Sequence, residues 1–98
     1  MVSLNVIELC GFKRFDLWLL RFKEGDHIPP HVDVVDHGKH YRFNVVLWNA
    51  DIGGEFLCSS PIYESKRVKY FRSDISEHSV TKVEQGVRYV LSFGWVLR

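Results

Sequence analysis

Residues 36–58 carry the pattern that decides the fold. A loop, a strand, a second loop and a second strand follow one another there, with the sequences DHGK, HYRFNVVLW, NADIGG and EFLC. β-Branched and aromatic residues, which favour strands, dominate the second segment, whereas glycine and polar residues, which favour turns, dominate the first and third. No window of eleven residues anywhere in the chain has the apolar spacing of a helix. The sequence therefore predicts a sheet here and almost no helix elsewhere.

Turn residues recur about every ten residues along the rest of the chain, which is the spacing of an all-β sandwich or barrel. The predicted strands are Val2–Leu9, Phe15–Lys23, His31–Val35, His40–Trp48, Glu55–Cys58, Val68–Arg72, Ser79–Val83 and Val87–Leu97. Short strands in this number are typical of a jelly roll, in which two sheets face each other. We therefore predict a single all-β domain over residues 1–98.

Composition excludes several classes of protein. The 98 residues are 46% hydrophobic and 14% aromatic, which is enough to form a core and excludes a disordered chain. The 13 basic and 12 acidic residues give a net charge of +1, which excludes a strongly basic nucleic-acid arm and an acidic tail. Two cysteines do not make a disulfide framework, and neither a signal peptide nor a membrane-spanning stretch is evident. We expect a reduced, cytoplasmic setting.

His31 and Asp33 are the first candidates for chemistry. Residues two apart on a strand project from the same face, so an imidazole and a carboxylate would enter the same space. Polar side chains on a buried face need a partner, and a metal ion is one such partner. Histidine and carboxylate ligands suit Fe(II) or another divalent ion. The pair alone is a weak signal.

His78 and Arg88 strengthen the interpretation. His78 opens a late strand, and two histidines with one aspartate would form a facial triad that leaves positions open for substrates. Arg88 begins the last strand on the same face as Val90 and Ser92, and a buried arginine needs an anionic partner such as a carboxylate. Taken singly, His78 would be a loop histidine and Arg88 an exposed sheet charge. Together with the His31–Asp33 pair they favour a site.

Spaced motifs across residues 17–96 resemble one known superfamily. They are His31-x-Asp33, Gly53-Gly54-Glu55-Phe56, His78-Ser79-Val80-x-x-Val83-x-x-Gly86-x-Arg88 and the ending Arg88-Tyr89-x-Leu91-x-Phe93-x-Trp95. In this order and spacing they resemble the Fe(II)/2-oxoglutarate-dependent oxygenases, and most of all the branch that includes the prolyl 4-hydroxylase catalytic domains. The resemblance implies a double-stranded β-helix, which is a cupin-like jelly roll.

The resemblance also implies a role for each candidate residue. Fe(II) would be held by His31, Asp33 and His78. The distal carboxylate of 2-oxoglutarate would pair with Arg88, and the side-chain amide of Asn44 would also contact this co-substrate. The implied reaction uses O2 to hydroxylate a C–H bond of a peptidyl or small-molecule substrate, with succinate and CO2 as co-products. An alternative for Asn44 is a polar position on the outer face of the sheet.

Departures from the family pattern keep other functions open. Phe22 stands where the family often has a tyrosine, and Val90 where many members have a serine, so Arg88 has fewer polar neighbours. One alternative is a degenerate oxygenase fold that acts as a binding or assembly module. Another is a cupin-like metalloprotein with different chemistry, although metal-binding cupins usually show HxH and a following glutamate. Nucleic acid is disfavoured as a substrate, because Gly94 replaces the second arginine of the demethylase branch.

The last strand also predicts a partner. Its other face carries the apolar row Tyr89, Leu91, Phe93 and Trp95. Soluble monomers rarely leave such a row bare, so we expect a second copy of the chain to cover it in a two-fold dimer. The alternative is that the connection Ser59–Lys66 covers the row within one chain.

Overall fold

A computed structural model describes residues 2–8, 15–34 and 38–97, with residues 2–8 described as a strand without their side chains. In these ranges the chain forms strands and no helix, as the sequence predicts. The strands are β1 (Val2–Glu8), β2 (Phe15–Phe22), β3 (Ile28–His31), β4 (Lys39–Trp48), β5 (Ile52–Gly53), β6 (Phe56–Cys58), β7 (Tyr63–Glu64), β8 (Val68–Arg72), β9 (His78–Val80), β10 (Val83–Gln85) and β11 (Arg88–Leu97). The described residues include no helix long and apolar enough to cross a membrane.

Two main sheets build the domain. The large sheet has six strands in the order β1-β2-β11-β4-β8-β7, and the small sheet has three in the order β3-β9-β6. A two-stranded ladder of β10 and β5 accompanies them. Residues from both sheets line one cavity, so the sheets face each other across it. The predicted all-β jelly roll is confirmed.

Some strand boundaries differ from the prediction. The strand predicted over His31–Val35 is Ile28–His31, and it includes Pro29 and Pro30. An edge strand tolerates proline because one side of its backbone needs no ladder partner, and β3 is an edge of the small sheet. The strand predicted over Ser79–Val83 divides into β9 and β10, and β10 pairs with the two-residue strand β5. The predicted strand ends Leu9 and Val35 lie outside the described residues.

Strand β11 places its two faces in different surroundings. Arg88, Val90 and Ser92 are buried, at 5%, 1% and 2% exposed, whereas the intervening Tyr89 and Leu91 are only partly buried. The predicted alternation is confirmed. Val90 joins the apolar core, which is completed by Phe22, Val46, Val80 and Val83. Because β11 lies between β2 and β4 in the large sheet, its buried face forms the middle of the cavity wall.

The outer face of the large sheet carries an aromatic cluster, formed by Tyr41, Phe43, Tyr70, Phe93 and Trp95. The Trp95 ring stacks on Tyr41 at 5.7 Å and on Tyr70 at 5.8 Å between ring centroids. Phe93 packs at 5.4 Å from Trp95 and remains 36% exposed. Strand β7, which belongs to the predicted covering connection, pairs with β8 at the edge of the same sheet and thereby extends the sheet.

Candidate metal centre

The sheet register brings the two candidate histidines together. His31 ends β3 and His78 begins β9, and the antiparallel pairing places them directly opposite each other. Their ring centroids are 4.3 Å apart. With Asp33 they offer three ligand atoms that all lie within 4.8 Å of one another. The structure therefore assembles the three residues that the sequence selected.

Asp33 reaches the histidines by a different route from the predicted one. The expected geometry placed His31 and Asp33 on one strand, but β3 ends at His31 and Asp33 follows it. The backbone N–H of Asp33 donates to the carbonyl of Ser73 at 2.7 Å, just beyond the end of β8. The backbone N–H of Ser73 in turn donates to the carbonyl of His40 at 3.0 Å. The large sheet thus positions the carboxylate that faces the small sheet.

Backbone carbonyls orient both imidazoles. Nδ1 of His31 lies 2.9 Å from the carbonyl of Pro29, and Nδ1 of His78 lies 2.9 Å from the carbonyl of Ser76. A carbonyl oxygen only accepts, so each Nδ1 carries the hydrogen and each Nε2 is left for a ligand. Metal-binding histidines are usually held in this way.

The freed nitrogens face the Asp33 carboxylate. His31 Nε2 lies 3.3 Å from Oδ1, and His78 Nε2 lies 3.6 Å from Oδ2. Two unprotonated nitrogens and a carboxylate repel each other, so a proton or a metal ion must sit among them. The donor set therefore fits a divalent cation, with two nitrogen ligands and one oxygen ligand.

The same contacts shift the ionisation of the metal-free site. Burial lowers the pKa of His78, but the hydrogen bond with Asp33 and the Ser76 carbonyl raise it more, and the net pKa is above the usual 6.5. Burial raises the pKa of Asp33, but the hydrogen bond with His78 and the charges of His78, His31 and Arg42 together lower it more, and the net pKa is below 3.8. His78 therefore binds its proton more tightly here than in an unfolded chain.

We expect stability and metal affinity to respond to pH in opposite directions. Because the folded pKa of His78 is raised, its protonated pair with Asp33 contributes stability that is complete below pH 6.5 and is lost as pH rises through the folded pKa. Metal binding requires the unprotonated nitrogen, so affinity should fall up to about ten-fold per pH unit below that pKa. Calorimetric titration with Mn²⁺ near pH 6 and near pH 8 tests the change in metal affinity. Thermal unfolding of the metal-free protein at the same two pH values tests the change in stability. An Mn²⁺ affinity that is constant over this range would contradict the expectation.

The candidate metal ligands and Arg88 line the same cavity, which has a volume of about 280 Å³. On the metal side of the cavity, the His78 ring packs on Phe71 at 4.8 Å between ring centroids. The cavity therefore combines a set of candidate metal ligands with a buried cation.

Arg88 is a buried cation with no counter-ion among the described residues. Its side chain makes no hydrogen bond and no ion pair within 15–34 and 38–97, and its buried Nε is unpartnered. The guanidinium lies 5.5 Å from the centre of the Phe22 ring. Burial lowers the pKa of Arg88. An unpaired buried charge is costly, so an anion bound beside Arg88 would stabilise it.

A chain of hydrogen bonds fixes the orientation of Asn44. Arg42 Nη1 donates to Ser92 Oγ at 2.6 Å, so the single hydroxyl hydrogen of Ser92 is free to bond Asn44 Oδ1, also at 2.6 Å. The amide NH2 of Asn44 therefore remains, and it has no partner among the described residues. Asn44 lines the cavity, so the alternative that places it on the outer face of the sheet is wrong.

Sequence reasoning missed the network behind Asn44. Arg42 Nη2 donates to both carboxylate oxygens of Asp16, at 2.9 and 3.1 Å. Gly94 leaves the space for this pair, since a Cβ there would overlap the Arg42 guanidinium. The available signal was the two-residue spacing of Arg42 and Asn44 on β4, which places both on the inner face.

Gly54 provides a test of how tightly the Arg88 end of the cavity is packed. Gly25 and Gly54 both have positive φ, +91° and +68°, so alanine at either should cost about 1–2 kcal/mol of backbone strain. A Cβ at Gly25 meets nothing, whereas one at Gly54 lies 2.9 Å from Val83 Cγ2 and 3.3 Å from Arg88 Cδ. We expect the free energy of unfolding, measured in urea, to fall by about 1–3 kcal/mol more in Gly54→Ala than in Gly25→Ala. Equal losses would show that the side chains around Gly54 can move aside at little cost.

Comparison with known proteins adds evidence on the fold. No protein-family model matches the chain, and no curated protein matches it either. A similar solved structure is an RmlC-like cupin protein from Desulfovibrio desulfuricans, with a TM-score of 0.62 and 23% identity. The likeness covers 96% of this chain and 80% of that one. It establishes the cupin-type jelly roll, and the roles of individual residues rest on the geometry described above.

Proposed function

We propose that the protein is an Fe(II)- and 2-oxoglutarate-dependent dioxygenase that hydroxylates a C–H bond of a peptidyl or small-molecule substrate. The observation that carries the proposal is Arg88, which is 5% exposed and has no ion pair among the described residues. It lines the cavity that His31, Asp33 and His78 also line. A metalloprotein that needed only three metal ligands would have no use for this buried charge. A dicarboxylate co-substrate needs both features.

The ligand set and the size of the cavity support this proposal. Two histidines and one carboxylate form the facial triad of non-haem Fe(II) oxygenases and leave the remaining positions open. The cavity of about 280 Å³ is at the small end of ligand pockets, which begin at roughly 300 Å³. It suits a small co-substrate together with one side chain or one small molecule. A reduced, cytoplasmic compartment would keep the iron ferrous.

Each candidate residue would have its own role. Iron bound with 2-oxoglutarate and O2 would supply the oxidising chemistry, in which one oxygen atom enters the C–H bond as a hydroxyl, the other enters succinate, and CO2 leaves. His31, Asp33 and His78 would hold the metal ion. Arg88 binds the distal carboxylate, and the Asn44 NH2 donates to the co-substrate. Apolar neighbours, Trp18 and Ile28 among them, line the rest of the cavity.

Anaerobic titration with Fe(II) and 2-oxoglutarate tests the proposal. Chelation through the 1-carboxylate and the keto oxygen should produce a weak metal-to-ligand absorption band in the visible range. Succinate, which lacks the keto group, is the control and should produce none. Iron binding without the band would favour a cupin-like metalloprotein with other chemistry, and failure to bind iron would favour a binding module.

We also propose that a second copy of the chain covers the outer aromatic cluster. A bare aromatic face is unusual on a soluble monomer, and Phe93 in this cluster is 36% exposed. Light scattering at micromolar concentration should therefore give the mass of a dimer, and Phe93→Glu should give a monomer that remains folded. A monomeric wild-type protein would remove the argument for a self-interface.

A further inference from the structure

A second chamber of about 420 Å³ also has Arg88 in its wall. Arg88 and Phe56 line both this chamber and the cavity that contains the metal centre. The second chamber is enclosed by the end of β4 and the segment 49–57, and two lysines, Lys66 and Lys69, complete its wall. None of the functions derived above uses it.

Lys69 enters this chamber from the inner face of the large sheet. It is directly opposite Asn44 in the pairing of β4 with β8, so the two side chains project from the same side. The side chain is partly buried, and Nζ donates one hydrogen bond, at 2.6 Å, to the carbonyl of Ser65. An ammonium group has three hydrogens, so two remain for another acceptor.

The charges of the chamber are unbalanced. Within the described ranges, no carboxylate lies within 4.0 Å of Arg88, Lys66 or Lys69. Two acidic residues, Asp51 and Glu55, also line the chamber, but both are exposed. Lys66 is exposed as well. The charges with limited access to water are therefore both positive: Arg88, which is buried, and Lys69, which is partly buried.

We propose that this chamber is an anion-binding site, in which Lys69 and Lys66 join Arg88 to hold a carboxylate or phosphate group of a small ligand. Arg88 lines both spaces, and its guanidinium makes no hydrogen bond or ion pair with another described residue. The planar guanidinium suits both anions, and the ammonium groups add point charges. Binding here needs no metal, so the inference goes beyond the proposed oxygenase function.

Calorimetric titration of the full-length, metal-free protein tests the site. Inorganic phosphate and succinate are titrated separately, after metal removal by dialysis without a carboxylate chelator. We expect at least one of these anions to bind. The anion with the lower dissociation constant shows whether the site prefers a phosphate or a carboxylate group. Lys69→Met should weaken binding about ten-fold, since one charge-assisted contact is lost. Lys69→Arg, which keeps the charge, should restore most of the affinity.

Lys82→Met is the matched control, because Lys82 is an exposed lysine in a groove formed by Ile28 and Thr81 and does not line the chamber. It should bind as the wild type does. The inference is overturned if neither anion binds, or if folded Lys69→Met binds as tightly as the wild type. An iron–2-oxoglutarate band without metal-free anion binding would overturn this site alone. Lysine-dependent anion binding without that band would overturn only the proposed oxygenase function.

Discussion

His31→Ala is expected to abolish stoichiometric metal binding. The variant removes one of three candidate ligands whose donor atoms lie within 4.8 Å of each other, and it leaves the Asp33 carboxylate facing His78 alone. Loss of an outer hydrogen-bond partner already costs metal sites about 10- to 100-fold in affinity, so loss of a ligand should cost more than about 100-fold. Metal analysis after Fe(II) loading under anaerobic conditions measures the effect.

His27→Ala is the matched control, because His27 is exposed and lies outside the triad. This variant should retain as much iron as the wild type. Circular dichroism of both variants checks that the fold is intact. Equal iron content in His31→Ala and His27→Ala would remove the assignment of the metal centre.

Arg88→Met is expected to separate co-substrate binding from metal binding. Methionine fills much of the same apolar space beside Phe22 but cannot pair with a carboxylate. A charge-assisted hydrogen bond contributes roughly 1.5–3 kcal/mol, so the affinity for 2-oxoglutarate should fall about ten- to a hundred-fold. Because Arg88 is not one of the three clustered metal ligands, the iron content should be unchanged.

Arg21→Met serves as the control for this variant, since Arg21 is an exposed arginine on the neighbouring strand β2. Its 2-oxoglutarate dissociation constant should match that of the wild type. If Arg88→Met leaves the 2-oxoglutarate dissociation constant unchanged, another group binds the distal carboxylate. Removing an unpaired buried charge should also make the ligand-free Arg88→Met protein at least as stable as the wild type.

The two variants together distinguish three kinds of protein. An oxygenase loses iron in His31→Ala and loses 2-oxoglutarate affinity in Arg88→Met. A metalloprotein with other chemistry responds only to the first substitution. A binding module that has no metal centre binds no iron in any form, so neither variant changes its metal content.

Local sequence was sufficient for the class of fold and for the inward face of the last strand. Strand propensity and two-residue alternation depend on neighbours in the chain, and they correctly placed Arg88, Val90 and Ser92 on the buried side of β11. The choice of His31, Asp33 and His78 rested on spacing and resemblance, and the structure brings these residues together. Very short strands such as β5 escaped prediction because two residues carry no periodic signal.

Contacts between distant parts of the chain settled the rest. Three features of the site join residues that are far apart in sequence. They are the strand register that sets His31 opposite His78, the hydrogen bond from Asp33 to the Ser73 carbonyl, and the hydrogen bonds from Arg42 through Ser92 to Asn44. Whether Arg88 has a counter-ion likewise depends on every strand that packs around it. Propensity and periodicity describe one strand at a time, whereas pairing, burial and charge balance exist only once the two sheets have closed around the cavity.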